Sequence, residues 1–379
     1  MDRLMQLRDF HRQDPGNDLI ALDLVDALLA HGALDEAEST LDSLPAAWLE
    51  RTSFLFRTGR CALARGQFER AAAALGACLE GGADSVAVRH DLAFALLGAG
   101  RLDAAERVLA SVLPRAPDEP AIALLHARLL QHRQHYEAAA ATAGAVVQNH
   151  PQHAEAWGLL AMLYLDMAQT AEARDAARHA LALDAAQSDA LTALGTLGLW
   201  SHDAKSAYQS FAQVLATQPD AGRALAGAGE ALLLNGDVPA AQAFLSRAVD
   251  QMSQHIGTWH ALAWCDLLLG NPGQAQVHFN RALDLDRNFG ESHGGIALVH
   301  ALNGHADEAR NDIRRALRLD PQSRNARYAQ SLLWSAEGRD REAAAMVDGI
   351  LAEAGVDTVR RPVDFIQQLQ ARLRPSGRA

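Results

Sequence analysis

The sequence predicts an all-α solenoid in which one helix–turn–helix unit of 34 residues is repeated ten times. Alanine occurs once every 34 residues from Ala37 to Ala343, and glycine recurs at a second place in the same period. Apolar residues follow the i, i+3, i+4, i+7 spacing of amphipathic helices. A strict period of this length is typical of stacked units that each pack mainly on their neighbours. The periodic alanines are Ala37, Ala71, Ala105, Ala139, Ala173, Ala207, Ala241, Ala275, Ala309 and Ala343.

Each unit is predicted to contain two antiparallel helices, and residues 154–187 show this most clearly. Trp157, Leu160 and Tyr164 lie on one face of a first helix, and a second apolar run begins at Ala173. The turn between the helices has glycine at repeat position 15 in seven units. Because glycine adopts the left-handed conformation without a Cβ penalty, it ends a helix there. These glycines are Gly32, Gly66, Gly100, Gly236, Gly270, Gly304 and Gly338.

Small residues at repeat positions 8 and 20 are predicted to let the two helices of a unit approach closely. The period also sets the predicted boundaries. Residues 1–17 are expected to form an N-terminal half-repeat that caps the array, and residues 358–379 a C-terminal capping helix and tail. The ten repeats between them are 18–51, 52–85, 86–119, 120–153, 154–187, 188–221, 222–255, 256–289, 290–323 and 324–357.

Composition limits the class of partner and the cellular compartment that we expect. The formal net charge of the 379 residues is −12, which argues against non-specific binding to nucleic acid. The three cysteines lack metal-ligand spacing and fall at apolar repeat positions, so we expect buried reduced thiols. Neither a signal peptide nor a membrane-spanning stretch is recognised. We expect a cytoplasmic protein, or a periplasmic one if an export signal has been removed, without direct membrane insertion and of unknown oligomeric state.

The repeat resembles the tetratricopeptide repeat (TPR), whose pattern is Trp, Leu, Gly, Tyr, Ala, Phe, Ala and Pro at positions 4, 7, 8, 11, 20, 24, 27 and 32. Trp157, Tyr164, Gly195, Phe211 and Pro219 match that pattern here, although leucine or alanine often replaces the aromatic residues. The resemblance implies a right-handed superhelix of bacterial type. In such a superhelix the first helices line a concave groove through positions 2, 5, 6, 9, 12 and 13.

Those groove positions divide into two predicted stretches. A band in repeats 2–4, which we interpret as basic, contains Arg57, Arg60, His90, Asp91, Arg128 and His132. An apolar trough in repeats 6–9 is formed by Trp200, Leu233, Leu234, Trp264, Leu268 and Leu298. A band followed by a trough suits a peptide that has an acidic part and a hydrophobic part.

A notch is predicted within the trough. Gly294 and Gly295 occupy groove positions in the middle of a helix, and His260 and Trp264 lie on the neighbouring first helix. Two missing side chains beside a tryptophan would form a pocket for an anchor residue of the partner.

Enzyme chemistry finds little support in the sequence. Asp266, His293 and His300 are expected to come together, because Asp266 and His300 share repeat position 11. No nucleophile or oxyanion donor accompanies them, so we interpret them as a satisfied polar contact. Phosphate-binding loops and paired-cysteine zinc sites are not found. We therefore predict neither catalytic residues nor a metal or cofactor.

The sequence thus predicts a non-enzymatic scaffold or adaptor that binds a peptide or protein segment in its groove. At family level the resemblance suggests bacterial secretion, pilus assembly or envelope-polysaccharide assembly. The alternative is a regulatory sensor whose superhelix closes on a short peptide or a metabolite. The lysine–asparagine clamp of cochaperones is not matched, since the sole lysine, Lys205, lies outside the groove positions.

Overall fold

The computed structural model describes residues 3–353, which form α-helices and turns, with one short 3-10 segment and no strand in that range. Contacts divide the chain into two compact units, Met1–Ala190 (unit 1) and Leu191–Ala379 (unit 2). The helix Ser188–Trp200 contains the boundary. Residues 358–379, predicted as the C-terminal cap, lie outside the described residues.

Unit 1 contains the first twelve helices. They are α1 (Arg3–Gln13), α2 (Asp18–Ala30), α3 (Leu34–Asp42), α4 (Ala46–Leu49), α5 (Thr52–Ala64), α6 (Phe68–Glu80), α7 (Val86–Gly98), α8 (Leu102–Val112), α9 (Pro120–His132), α10 (Tyr136–Asn149), α11 (Ala154–Asp166) and α12 (Thr170–Leu183).

The boundary helix is α13 (Ser188–Trp200), and the helices that follow belong to unit 2. They are α14 (Ala204–Thr217), α15 (Gly222–Leu234), α16 (Val238–Gln251), α17 (Ile256–Leu268), α18 (Pro272–Leu285), α19 (Gly290–Leu302), α20 (Ala306–Leu319), α21 (Arg324–Ala336) and α22 (Asp340–Glu353).

The 34-residue period of the sequence reappears in the helix boundaries. Helices begin at Asp18, Thr52, Val86 and at each 34-residue interval as far as Arg324. Each of these helices is called a first helix below, and the one that follows it in the repeat is called a second helix. The all-α repeat fold is confirmed, whereas the domain boundaries, the number of repeats and the superhelical hand stay predictions.

The turns within repeats share one left-handed residue. All seven glycines predicted there have positive φ, between 69° and 84°. In the other three repeats Gln134, Ala168 and His202 have φ values of 60°, 57° and 56° at the same position. The turn geometry is therefore imposed by the packing of the helix pair, since these residues adopt it against their own preference.

The periodic alanines lie at the contact between first and second helices. They are fully buried apart from Ala343, which is 4% exposed. The small residues at position 8 face the same contact: a Cβ on Gly59 would lie 2.6 Å from Leu75 Cγ, and one on Gly195 would lie 2.7 Å from Phe211 Cζ. The predicted close approach of the paired helices is confirmed in both units.

Two further features bear on the sequence-based expectations. Cys61, Cys78 and Cys265 are unpaired and buried, as predicted. Among the helices described, none combines the length and apolar character needed to span a membrane.

Candidate partner-binding site

An open cavity of about 400 Å³ lies among the first helices of unit 1. Every residue that lines it occupies one of the repeat positions 2, 5, 6, 9 and 12, which were predicted to face the groove. We call the surface formed by those positions the inner wall. The lining residues are Arg60, Leu63, His90, Asp91, Phe94, Ala121, Leu124, Leu125, Arg128 and Glu155.

The register of the repeats explains why these side chains meet. Position 9 of three successive repeats places Arg60 on α5, Phe94 on α7 and Arg128 on α9, so that an aromatic ring stands between two guanidinium groups along the chain. Phe94 is 42% exposed, and its ring and that of Phe68 meet edge to face, with 6.1 Å between the ring centroids. The cavity thus combines an aliphatic floor, an exposed aromatic ring and fixed charges.

Two carboxylates of unit 1 pair with the guanidinium of Arg128. Its Nη2 donates to Asp189 Oδ2 at 2.7 Å and lies 3.5 Å from Glu155 Oε1. Burial lowers the pKa of Arg128, but its pairing with Asp189 and Glu155 outweighs burial and leaves that pKa above its ordinary value. Arg128 is therefore a fixed, largely neutralised wall residue.

Arg57 does not line the cavity, which corrects its predicted place in a basic band. Its guanidinium pairs with Asp26 and donates through Nη1 to the Ser53 carbonyl at 2.9 Å. Only 19% of the Arg57 side chain is exposed. The sequence pattern placed its Cα at the inner wall, but the carboxylate of the preceding repeat holds its charged end.

Arg60 is the least neutralised arginine of the cavity. Its Nε lies 3.9 Å from Asp91 Oδ2, beyond hydrogen-bonding distance, and 52% of its side chain is exposed. The other carboxylate oxygen of Asp91 is 3.0 Å from Nδ1 of His90. The predicted basic band is thus a mixed surface, in which Asp91 and Glu155 offset most of the positive charge and Arg60 remains open to an anion.

The predicted notch at Gly294 and Gly295 is wrong, because neighbouring elements fill the space. Both glycines are buried. A Cβ on Gly294 would lie 2.6 Å from the Ala326 backbone nitrogen, and one on Gly295 would lie 2.3 Å from Cδ1 of Phe279. The missing side chains let α19 pack directly against α21, far more extensively than α5 packs against α7 or α15 against α17.

The residues around the predicted notch are likewise engaged within unit 2. Trp264 Nε1 donates to Asn325 Oδ1 at 3.1 Å, and His260 Nε2 lies 2.9 Å from Ser292 Oγ. Burial lowers the pKa of His260 to about 4, so its ring is neutral at pH 7. Leu298 is fully buried and cannot line a groove, whereas Trp200 remains 52% exposed.

The expected cluster of Asp266, His293 and His300 does not form. Asp266 hydrogen-bonds to His278 Nδ1 at 2.6 Å and accepts from Gln242 Nε2 at 2.7 Å. His300 and His293 bond elsewhere: His300 Nδ1 lies 2.9 Å from Asp312 Oδ2, and His293 Nε2 lies 3.0 Å from the Arg287 carbonyl. Each group has its own partner, as expected for polar groups that satisfy one another.

Sequence reasoning missed Phe94, Glu155 and Asp189 as parts of this site. All three occupy groove positions, so the register could have singled them out. A long side chain at position 9 can contact position 2 of the repeat after next, and this relation would have identified Asp189. The guanidinium of Arg128 pairs there with the carboxylate of Asp189. Over residues 3–353, no group of three or more His, Cys, Asp or Glu side chains is arranged to hold a metal ion.

Comparison with known families accounts for the repeat. Family models described as tetratricopeptide repeat match residues 6–47, 62–129, 154–187, 201–265 and 263–323, together more than half of the chain. The chain belongs to the tetratricopeptide-repeat family. A comparison of this TPR sequence with curated proteins gives no significant match.

Solved structures support the TPR fold. The chain is similar to the APC/C hetero-tetramer Cut9-Hcn1, with 18% identity and a TM-score of 0.67, over 84% of this chain and 63% of that one. It is also similar to the human IFIT1 dimer with m7Gppp-AAAA, with 14% identity and a TM-score of 0.56, over 94% and 90% of the two chains. The chain spans less than two thirds of the first structure, and identities this low show the fold alone.

Proposed function

We propose that this TPR protein is a non-enzymatic scaffold or adaptor that binds a segment of a partner protein at the inner wall of unit 1. The observation that carries the proposal is the cavity in which Arg60, His90 and Arg128 meet an exposed Phe94 over an aliphatic floor. Membership of the TPR family supports a role in protein–protein interaction, and a net charge of −12 supports a protein rather than a nucleic acid as the partner.

The geometry favours a partner segment that presents a carboxylate next to an apolar side chain. Arg60 would receive the carboxylate, because it is the arginine of the cavity without a close counter-ion. Phe94 and Leu63 would hold the apolar side chain. An exposed aromatic ring beside a charged group is a common anchor arrangement in protein interfaces.

Affinity capture followed by reconstitution tests this proposal. The full chain and its Phe94→Ala and Arg60→Gln variants are used as baits, and each captured protein is then purified and its affinity measured by calorimetry. We expect Phe94→Ala to weaken binding at least tenfold, and Arg60→Gln to weaken it by a similar factor. Both side chains are exposed, so circular dichroism of the variants is expected to match that of the wild type.

Arg107→Gln is the matched control, since Arg107 is exposed on the second helix α8 and its loss changes the charge equally. Its binding is expected to equal that of the wild type. A partner that binds all four proteins with one affinity would place the interface elsewhere and contradict the proposal.

For the biological setting we propose only a class of process. Bacterial secretion, pilus assembly or envelope-polysaccharide assembly is proposed from the family resemblance only. A cytoplasmic location, or a periplasmic one after removal of an export signal, is proposed from the sequence. Cell fractionation with an epitope-tagged chain tests the location, and the identity of the captured partner tests the setting. A partner outside all three systems would overturn that part of the proposal while leaving the binding site intact.

A further inference from the structure

Glu230 lies on the inner wall of unit 2, at position 9 of the first helix α15. Its side chain is exposed, and it shares one face of the helix with Arg223, Ala226, Leu233 and Leu234, which recur at helical spacing. Leu234 is 43% exposed, one turn after Glu230. A carboxylate here therefore stands beside an accessible aliphatic surface.

The carboxylate of Glu230 has no counter-ion in the part of the chain that the structure describes. No hydrogen bond or ion pair reaches it, and burial alone raises its pKa. Arg223 precedes it by two turns, about 10 Å along the helix axis, and makes no ion pair with it. The carboxylate is therefore open to solvent and has no partner of its own among the residues described.

The register of the repeats shows what satisfies position 9 at two other places in the chain. Position 9 reaches position 2 of the repeat after next: Arg128 bonds to Asp189 at 2.7 Å in unit 1, and Trp264 bonds to Asn325 at 3.1 Å in unit 2. The residue that corresponds to them for Glu230 is Glu291. The two positions thus carry like charges, where the other two pairs are complementary.

The carboxylate of Glu291 already accepts hydrogen bonds from other groups. It accepts from the backbone nitrogens of Arg324 at 2.6 Å and Asn325 at 3.0 Å, at the N-terminus of α21. It also accepts from the Ser323 hydroxyl at 3.1 Å. Glu230 is therefore left as an acid whose partner position within the array supplies no positive charge.

We propose that Glu230 receives the cationic end of a lysine or arginine side chain from a partner protein, with the aliphatic stem of that side chain packed against Leu233 and Leu234. A side chain with a long apolar stem and a charged end fits both parts of this surface. The site lies in unit 2 and shares no residue with the cavity of unit 1, so a failed test of one site does not contradict the other.

A displayed library of random 12-residue peptides tests the proposal directly, because it samples every side-chain type at each position. The library is selected in parallel against the purified full chain, its Glu230→Gln variant and an Asp250→Asn control, whose exposed carboxylate lies on the second helix α16. We expect the wild type and the control to enrich peptides with lysine or arginine next to an aliphatic residue. Glu230→Gln is expected to lose that enrichment.

A synthetic peptide from the wild-type selection then provides a double-mutant cycle by fluorescence anisotropy. Glu230→Gln, or replacement of the basic residue of the peptide by norleucine, is expected to weaken binding about tenfold, and the two changes together no further. Arg60→Gln is expected to leave this affinity unchanged.

Either of two results would overturn the proposal. One is the same basic enrichment with Glu230→Gln as with the wild type. The other is a wild-type selection in which basic residues are not enriched, including one that yields no binding peptide. Thermal unfolding of Glu230→Gln verifies the fold, because glutamine has almost the shape of glutamate.

Discussion

The first helices α7 and α19 carry the same repeat positions but form opposite kinds of wall. At positions 5, 6 and 9, α7 presents His90, Asp91 and Phe94, and these line an open cavity in unit 1. At the same positions, α19 has Gly294, Gly295 and Leu298, all of which are buried in unit 2. Phe94 is 42% exposed, whereas Leu298 is not exposed at all.

The missing side chains of α19 therefore leave no empty pocket. Without Cβ atoms, α19 approaches α21 until backbone meets backbone, and the wall closes because close packing is favoured over a void. Long or charged residues at the same positions keep the first helices of unit 1 apart and leave an accessible cavity. In α19, glycine at positions 5 and 6 therefore closes the wall rather than opening it.

A side chain added between α19 and α21 is expected to lower the free energy of unfolding more than any other change considered below. Gly294→Leu places a side chain where a Cβ would already lie 2.6 Å from the Ala326 backbone nitrogen. We expect a loss of about 3 kcal/mol in the free energy of unfolding, measured by urea denaturation. The matched control is Gly144→Leu on α10, where nothing lies within 4 Å of a Cβ, and it is expected to cause no loss. Equal stability of the two variants would contradict the closed-wall account.

The second effect concerns the carboxylate that joins α19 to α21. Glu291→Ala removes an acceptor of two backbone N–H groups and one hydroxyl, so the first turn of α21 loses its partner. We expect a loss of about 2 kcal/mol in the free energy of unfolding, monitored by circular dichroism in urea. Glu308→Ala, at an exposed position of α20, is expected to cost no more than about 0.5 kcal/mol. If both variants lose the same amount, Glu291 is not the bridge between the helices.

The third effect on stability concerns the turns within repeats, whose left-handed residue occurs in both units. Ala168 and Gln134 hold left-handed conformations that glycine adopts without strain. Ala168→Gly and Gln134→Gly are each expected to raise the free energy of unfolding by about 1 kcal/mol. The reverse change, Gly66→Ala at a φ of 69°, is expected to lower it by a similar amount. A destabilised Ala168→Gly variant would show that the turn conformation is not a source of strain.

The smallest effect concerns the uncompensated acid of unit 2. Burial raises the pKa of Glu230 above its unfolded value, so folding favours the neutral form, and that contribution is lost as the pH rises through the folded-state pKa. Glu230→Gln is therefore expected to raise the Tm by about 1 °C at pH 7.5 and to have less effect at pH 4, in scanning calorimetry. Asp250→Asn, which removes an equal charge from an exposed position of α16, is the control. A Tm difference that stays the same at both pH values would contradict this assignment.

Most of the fold could be predicted from the sequence because a 34-residue period is a local signal repeated many times. The alanines and turn glycines fixed the register, and the helix starts follow it. The turns at Gln134, Ala168 and His202 could not be predicted from residue type, because their conformation comes from the packing of the helix pair.

The site was predicted less completely, for two physical reasons. The register gives the direction of each side chain but not its partner, so the neutralisation of Arg57 by Asp26 and of Arg128 by Asp189 went unseen. It also gives no spacing between neighbouring first helices, so Gly294 was interpreted as a gap when it is a contact. Both properties depend on residues one or two repeats away.

Site-specific photocrosslinking shows whether a partner segment lies in the cavity of unit 1. The photoreactive residue p-benzoylphenylalanine replaces Phe94 in one protein and the exposed Gln148 of the second helix α10 in another. Each is irradiated with the purified partner, and adducts are identified by mass spectrometry. We expect a covalent adduct from position 94 and none from position 148. Adducts from position 148 alone, or in equal yield from both positions, would contradict it.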